Sequence, residues 1–422
     1  MENAKKKRIN RLQNITMIAL SCLALCLFFY SFFPIMGMER PNLAAFFSSR
    51  TQSVSFWDGE NTASLSAPVQ VSVTGQHGRF GCAATLSHES LIPLNTLAKE
   101  AFGSAGAAVA ATEETFRAAL LQSGVYYDFS LPLPASLLSS MLDTSIPSAF
   151  SSVQRLLLAA DSESVRLFLF DGTEYYVSTT AISPGTLETT IAIYEPNDTA
   201  FLFERSGDSH TLDPFTLITE DMLSRPGYIC ATPSAGSENN HILEFLGFNS
   251  HSNSRYVESD GTEVIFGSDA TIRIETDGTV TYAGTHRSNS VFLAEDNSAD
   301  AAITAAYRIA SGLLSASAGE ASLYLADLED TDLGYTVSFN FMAGGIPIRF
   351  HDGAAAASIT VSDGVVTAFT LRCRNYTLSD TTLHALPLTQ ALAIAADKQG
   401  ALKISYVDNG TNALSVSWIV TQ

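Results

Sequence analysis

The residues able to do chemistry are scattered along this chain. Eight histidines are spread over the sequence, and His241 and His251, the pair considered for a shared metal, stand ten residues apart across a predicted turn. That is not metal-ligand spacing. Glu113-Glu114 and Glu329-Asp330 are paired carboxylates of the kind used in general acid–base work. Their surroundings read as a solvated helix start and a loop. The Asp-Gly pairs at 171–172, 260–261, 277–278 and 363–364 lack the alternating oxygen ligands of a calcium loop, and each lies between apolar runs. They read as hairpin turns. Gly103-Ser-Ala-Gly106 follows a helical stretch instead of joining strand to helix, so it reads as a helix stop and not a phosphate cradle. There is no HExxH, GxSxG, SxxK or Walker loop. Catalytic residues, metal ligands and cofactors are therefore all expected to be none. One further segment has binding potential: Gly344-Gly345-Ile-Pro-Ile-Arg-Phe. Pro347 removes a ladder donor, which predicts an edge strand. Ile346, Pro347 and Ile348 then become candidates for pairing with a partner's strand.

The elements around these residues alternate between short helices and β meanders. Strands are predicted over 69–73, 79–86, 124–129, 153–159, 165–170, 175–179, 189–194 and 200–203. Helices are predicted over 91–102, 112–122, 133–142 and 215–223, where apolar residues recur at helical spacing or a cap signal precedes them. Past a Pro/Gly/Ser stretch at 232–237 come a helix over 241–246 and two Asp-Gly hairpins spanning 254–283. A long helix over 298–314 leads into five strands between 321 and 372. A helix over 388–399 and a hairpin over 402–420 follow. This order predicts an α+β fold: antiparallel sheets with helices packed on one face, and helix-plus-β-meander units that repeat.

Ahead of all this lies an uncharged apolar stretch, residues 15–36. At ~1.5 Å per residue a helix of about 20 residues crosses a bilayer core. Lys5, Lys6, Lys7, Arg8 and Arg11 precede it, and only Arg40 and Arg50 follow closely. This asymmetry places the N-terminus in the cytoplasm and the bulk of the chain outside. The stretch is too long, and its end too bulky, for a cleaved signal peptide. Within it Ala19, Cys22 and Cys26 fall on one helix face, the candidate for close helix–helix contact. Net charge is −20, and beyond residue 13 the chain carries 18 basic against 42 acidic side chains. Nucleic acid and anionic lipid surfaces are excluded as partners of that part. Cys82, Cys230 and Cys373 form no disulfide framework; a Cys82–Cys230 bridge and three buried thiols both remain open. The organisation expected is a basic tail (1–13), a transmembrane helix (14–36), a stalk (37–65), an N-terminal α+β domain (66–231), a linker (232–240) and a C-terminal β-rich domain (241–422).

Several stretches carry a family resemblance. They are Leu97-Ala-Lys-Glu-Ala-Phe-Gly-Ser-Ala105, Gly124-Val-Tyr-Tyr-Asp-Phe129, Leu246-Gly-Phe-Asn-Ser-His-Ser-Asn-Ser-Arg-Tyr256 with Ser259-Asp-Gly261, and Gly345-Ile-Pro-Ile348 with Ile359-Thr-Val-Ser-Asp-Gly-Val365. Together with the single span they resemble the YycH/YycI family of Gram-positive bacteria, in clostridial form. Members of that family are single-pass accessory proteins of the WalK (YycG) sensor histidine kinase. The chain is longer than a typical YycI and nearer YycH in length, so its type within the family stays open. The resemblance implies no catalytic residues. It implies a two-component-system regulator at the cell membrane, acting in cell-wall homeostasis. Its partners would be a sensor histidine kinase and a paralogous accessory protein, met through span and ectodomain, with residues 241–422 as the YycI-like part. The alternative expectation is a structural or scaffold component of the cell-wall or division machinery.

Overall fold

The fold is taken from a computed structural model of the chain. It describes Leu65 and residues 67–205, 211–218, 224–232, 237–248, 254–267, 269–285 and 289–421. The expected tail, the span with Ala19, Cys22 and Cys26, and nearly all of the stalk lie outside the described residues. Among the described residues, no helix is long and apolar enough to cross a membrane.

The described chain is α+β and mostly strand. It opens with β1 (Gln70–Gly75) and β2 (Gly78–Cys82), a hairpin closed where Gly75 faces Gly78. Next come α1 (His88–Ser104), β3 (Val109–Ala111), α2 (Glu113–Leu120), β4 (Gly124–Pro134), α3 (Ala135–Leu142), β5 (Ser152–Ala160), β6 (Val165–Phe170) and β7 (Tyr175–Thr179). Helices start where hydroxyl caps stand: Ser87 accepts from the Ser90 N–H, and Thr112 from the Thr115 N–H. The strands form one antiparallel seven-stranded sheet in the order β2-β1-β4-β5-β6-β7-β3.

Its helices do not keep to one face, as the sequence had suggested. Phe116 of α2 packs edge-on against Tyr126 and Phe168, while Asn95 of α1 lies against the Tyr127 hydroxyl. Neighbouring residues of a strand point to opposite faces, so both faces of this sheet are covered. That is why β5 reads as a buried run, Arg155 to Ala159, and not as an alternation.

The next segment corrects two expectations. Residues 189–194, predicted as a strand, belong largely to α4 (Pro184–Ile191) and the turn after it. The Thr-Thr-Ile run suggested β structure, but Ser183 caps and Pro184 sits in the first turn, a strong start signal. The helix predicted over 215–223 is absent as far as residue 218: after β8 (Ala200–Phe201) and α5 (Leu202–Arg205), β9 (Leu217–Ile218) pairs with β8.

The remaining elements are β10 (Ser224–Ala231), α6 (Ser237–Phe245), β11 (Arg255–Val257), β12 (Glu263–Phe266), β13 (Ala270–Ile274), β14 (Thr279–Gly284), α7 (Ala299–Ala310), β15 (Ser322–Thr331), β16 (Gly334–Ala343), β17 (Ile346–Phe350), β18 (Ala357–Ser362), β19 (Val365–Arg372), β20 (Asn375–His384), α8 (Leu388–Ala395), β21 (Ala401–Asp408) and β22 (Ser415–Thr421). Eleven strands share one sheet in the order β11-β12-β13-β14-β19-β18-β16-β17-β21-β22, with β15 added beside β16. The Asp-Gly turns are of two kinds. Asp363 and Gly364 both take positive φ, at 49° and 70°, as a two-residue hairpin requires. At 260–261 and 277–278 only the glycine does, and the aspartate accepts the N–H of Thr262 or Thr279 instead.

The two helix-plus-meander units do not stand apart, because β17 joins them. It pairs antiparallel with β16 and parallel with β21, Ile348 opposite Tyr406. The expected edge position of Ile346, Pro347 and Ile348 is therefore corrected: the strand is bonded on both sides, and all three residues are buried. Pro347 stands one residue before the first pair with β21, so its missing N–H falls at a ladder end.

Candidate functional site

The division expected at 232–240 is crossed three times. First, β10 from before it pairs with β20 from after it. Second, Leu202, Leu212 and Ile218 share a core with Ala391, Ala395 and Leu402. Third, a layer of buried charge lies between the seven-stranded sheet and β21.

That layer follows from register. Gln70, Asp128, Arg155, Phe170 and Tyr175 are direct cross-strand partners in succession, so they share one sheet face. Arg155 donates through Nη2 to Asp213, and its guanidinium lies 4.4 Å from the Phe215 ring centre and 5.3 Å from that of Phe170. Lys403 of β21 is buried among Asp128, Asp213, Arg155 and Arg349. Burial pulls the Lys403 ammonium below its ordinary range, against the pull of Asp128 and Asp213. Burial likewise raises the Asp213 carboxyl, with Arg155 opposing. The Tyr126 hydroxyl and both polar atoms of the Gln70 side chain are buried in this part of the molecule without a hydrogen-bond partner.

A second knot lies where the chain enters β20 and leaves β21. Arg374 donates twice to the Asp408 carboxylate, each bond 2.8 Å, and the Tyr376 hydroxyl donates to it at 3.0 Å. Asp408 is 0% exposed. Arg374 also reaches the Thr232 hydroxyl, at the start of the expected linker. The neighbouring Cys230 thiol is pushed up to about 12, chiefly by burial. Cys82 and Cys230 are free thiols, so no Cys82–Cys230 bridge forms.

Two open clefts flank β15. One, of about 630 Å³, is lined by Thr85, His88, Asn95, Glu320, Ser322 and Gly345. The other, of about 560 Å³, is lined by Pro132, Ser136, Ser152, Asp300, Asp327 and Leu328, and Ser136 donates to Asp300 across it. The first is braced where the Thr85 N–H donates to the Gly345 carbonyl at 2.7 Å. Gly345 has φ 76°, and a Cβ there would collide with the Thr85 carbonyl. Gly345→Ala is expected to cost more than ~1 kcal/mol, because strained φ and collision add. Its check is the urea midpoint, with Gly353→Ala as the control for positive φ in open space.

The residues weighed from sequence are dispersed. Glu113 pairs with Arg117 one helical turn on, and Glu329 and Asp330 are exposed near the β15–β16 turn. His241 sits on α6, and His251 lies outside the described residues. Gly103 to Gly106 ends α1, as expected. Among the described residues, no three His, Cys, Asp or Glu side chains converge to hold a metal. Sequence reasoning missed Ser224 and His384, whose Oγ and Nδ1 lie 3.0 Å apart. They are cross-strand partners at the exposed end of the β10–β20 ribbon. It also missed the buried charge layer, although Arg155 and Lys403 inside apolar runs were its visible signal. No family model, curated protein or solved structure matches this chain.

Proposed function

We propose that this protein is a membrane-anchored, non-catalytic regulator of the YycH/YycI type. It modulates a WalK-type sensor histidine kinase through contacts of its span and its ectodomain. The observation that carries this reading is what the charged residues at the seam do. Arg155 with Asp213 and Arg374 with Asp408 are committed to buried ion pairs, one within each half, and Lys403 reaches across to Asp128 and Asp213, while the polar groups open to solvent line two broad clefts. That is the chemistry of a binding platform, in which affinity comes from shape and a few polar contacts. The uncharged stretch 15–36 and the basic cluster before it support the anchor, with the N-terminus inside. A kinase contact acts by binding one of the kinase's states better than another.

The test is co-purification of the full chain with the kinase from membranes, paired with kinase output after deletion. Complementation then uses a chain with residues 15–33 scrambled at constant hydrophobicity. Expected are recovery of the kinase and of a paralogous accessory protein, altered output on deletion, and failed complementation by the scramble. Output indifferent to both changes, or crosslinking that recovers division proteins and no kinase, overturns the reading.

A further inference from the structure

We infer that β22 is a pairing edge through which two copies of this chain associate, strand against strand, about a two-fold axis. Among the described residues, β22 is the last strand of the eleven-stranded sheet and pairs only with β21. Every residue from Val416 to Thr421 is partly exposed. Its sequence, Ser-Val-Ser-Trp-Ile-Val-Thr, has no charge and no proline, two of the devices that ordinarily blunt an edge.

Helix α8 lies beside it. Leu388 and Leu392 of α8 and Trp418 and Val420 of β22 pack against one buried cluster, and the Trp418 indole donates to the Leu386 carbonyl at 2.8 Å. The outer surface keeps Leu386 48% and Ile394 63% exposed. Charge selects the occupant. The chain carries −20, yet residues 385–396 and 411–422 contain no Asp, Glu, Lys or Arg. A basic partner would be drawn to the acidic surfaces elsewhere, and this patch offers an anionic one nothing. A second, equally acidic copy meets the least repulsion here.

Symmetry fits the same occupant. Antiparallel pairing of β22 with its copy is self-complementary. A two-fold axis perpendicular to the sheet maps each sheet face onto itself. The second copy's α8 then lies on the same side as the first, and the exposed Leu386 and Ile394 surfaces of the two helices come together.

The experiment is sedimentation equilibrium of the full chain in detergent over a wide concentration range, with hydrogen exchange read across β22. Expected are a monomer–dimer equilibrium and exchange in Ser415–Thr421 that slows as protein concentration rises. Ile394→Glu, on an exposed position, and Ser417→Lys, at the edge, each weaken the dimer by roughly tenfold or more. Ile92→Glu, also exposed but on α1, leaves it unchanged. Should Ser417→Lys melt early, Ile394→Glu decides alone. A monomer at every concentration overturns the inference. So does a dimer indifferent to Ile394→Glu, or one abolished by bulky replacements at Ala19, Cys22 and Cys26 while exchange in β22 stays independent of concentration.

Discussion

Asp408→Ala is expected to destabilise the protein by about 3–5 kcal/mol, because it strands a buried cation. The carboxylate accepts two bonds from Arg374, one from Tyr376 and one from the Gly410 N–H. Removing it leaves the guanidinium without a counter-charge and four N–H and O–H groups without this acceptor. Asp408→Asn keeps the shape and one acceptor oxygen, so its loss is smaller. The telling comparison is the double variant Asp408→Leu with Arg374→Met. Deleting both charges restores much of what the single variant loses, as buried pairs elsewhere do. The readout is urea unfolding followed by tryptophan fluorescence, since Trp418 sits on the strand paired to β21. A loss for Asp408→Ala below ~1 kcal/mol would show that water reaches Arg374.

Arg155→Ala is expected to cost a similar ~3–5 kcal/mol, and its cost depends on pH. Arg155 balances Asp213 and stacks over Phe215. Burial already raises the Asp213 carboxyl while Arg155 holds it down. Without Arg155 the carboxyl rises further. An acid with a raised folded pKa holds a proton that the unfolded chain has released. Stability then falls as pH climbs from ~3.9, the unfolded value, through the folded value. The deficit of Arg155→Ala against the parent protein is therefore larger at pH 8 than at pH 5. Arg155→Lys keeps the charge, loses the planar stack, and falls between. Urea midpoints at the two pH values check this; a deficit that shrinks as pH rises contradicts it.

What was legible in the sequence was local. Thr112 before Glu113-Glu114, Gly247 after α6 and the Asp-Gly turns each set a nearby backbone shape, and the structure places them so. The errors lie where distant residues decide. β10 and β20 were not anticipated: β10 contains Pro226 and Gly227, β20 is mostly polar and exposed, and each finds its partner some 150 residues away. Pro347 pointed to an edge by a sound local rule, but β21, supplied by the end of the chain, covers that side. Arg155 and Lys403 look like interruptions of apolar strands until register and packing bring them to one layer. The Ala19/Cys22/Cys26 face lies outside the described residues and stands on its spacing alone.

The parallel pairing of β17 with β21 has a consequence for biogenesis. Ile348, Arg349 and Phe350 wait for Tyr406, Val407 and Asp408, which are made almost sixty residues later. Lys403, from the same late strand, joins a charge layer whose other members were made between residues 128 and 349. Ribosomal order and assembly order are thus opposed. A nascent chain stopped before β21 carries buried-to-be charges without their counterparts and an unpaired side of β17. Closure over such sequence distances is slow. The growing chain must be shielded until its β21–β22 hairpin arrives, so loss of that hairpin would be felt throughout the fold and not only at its end.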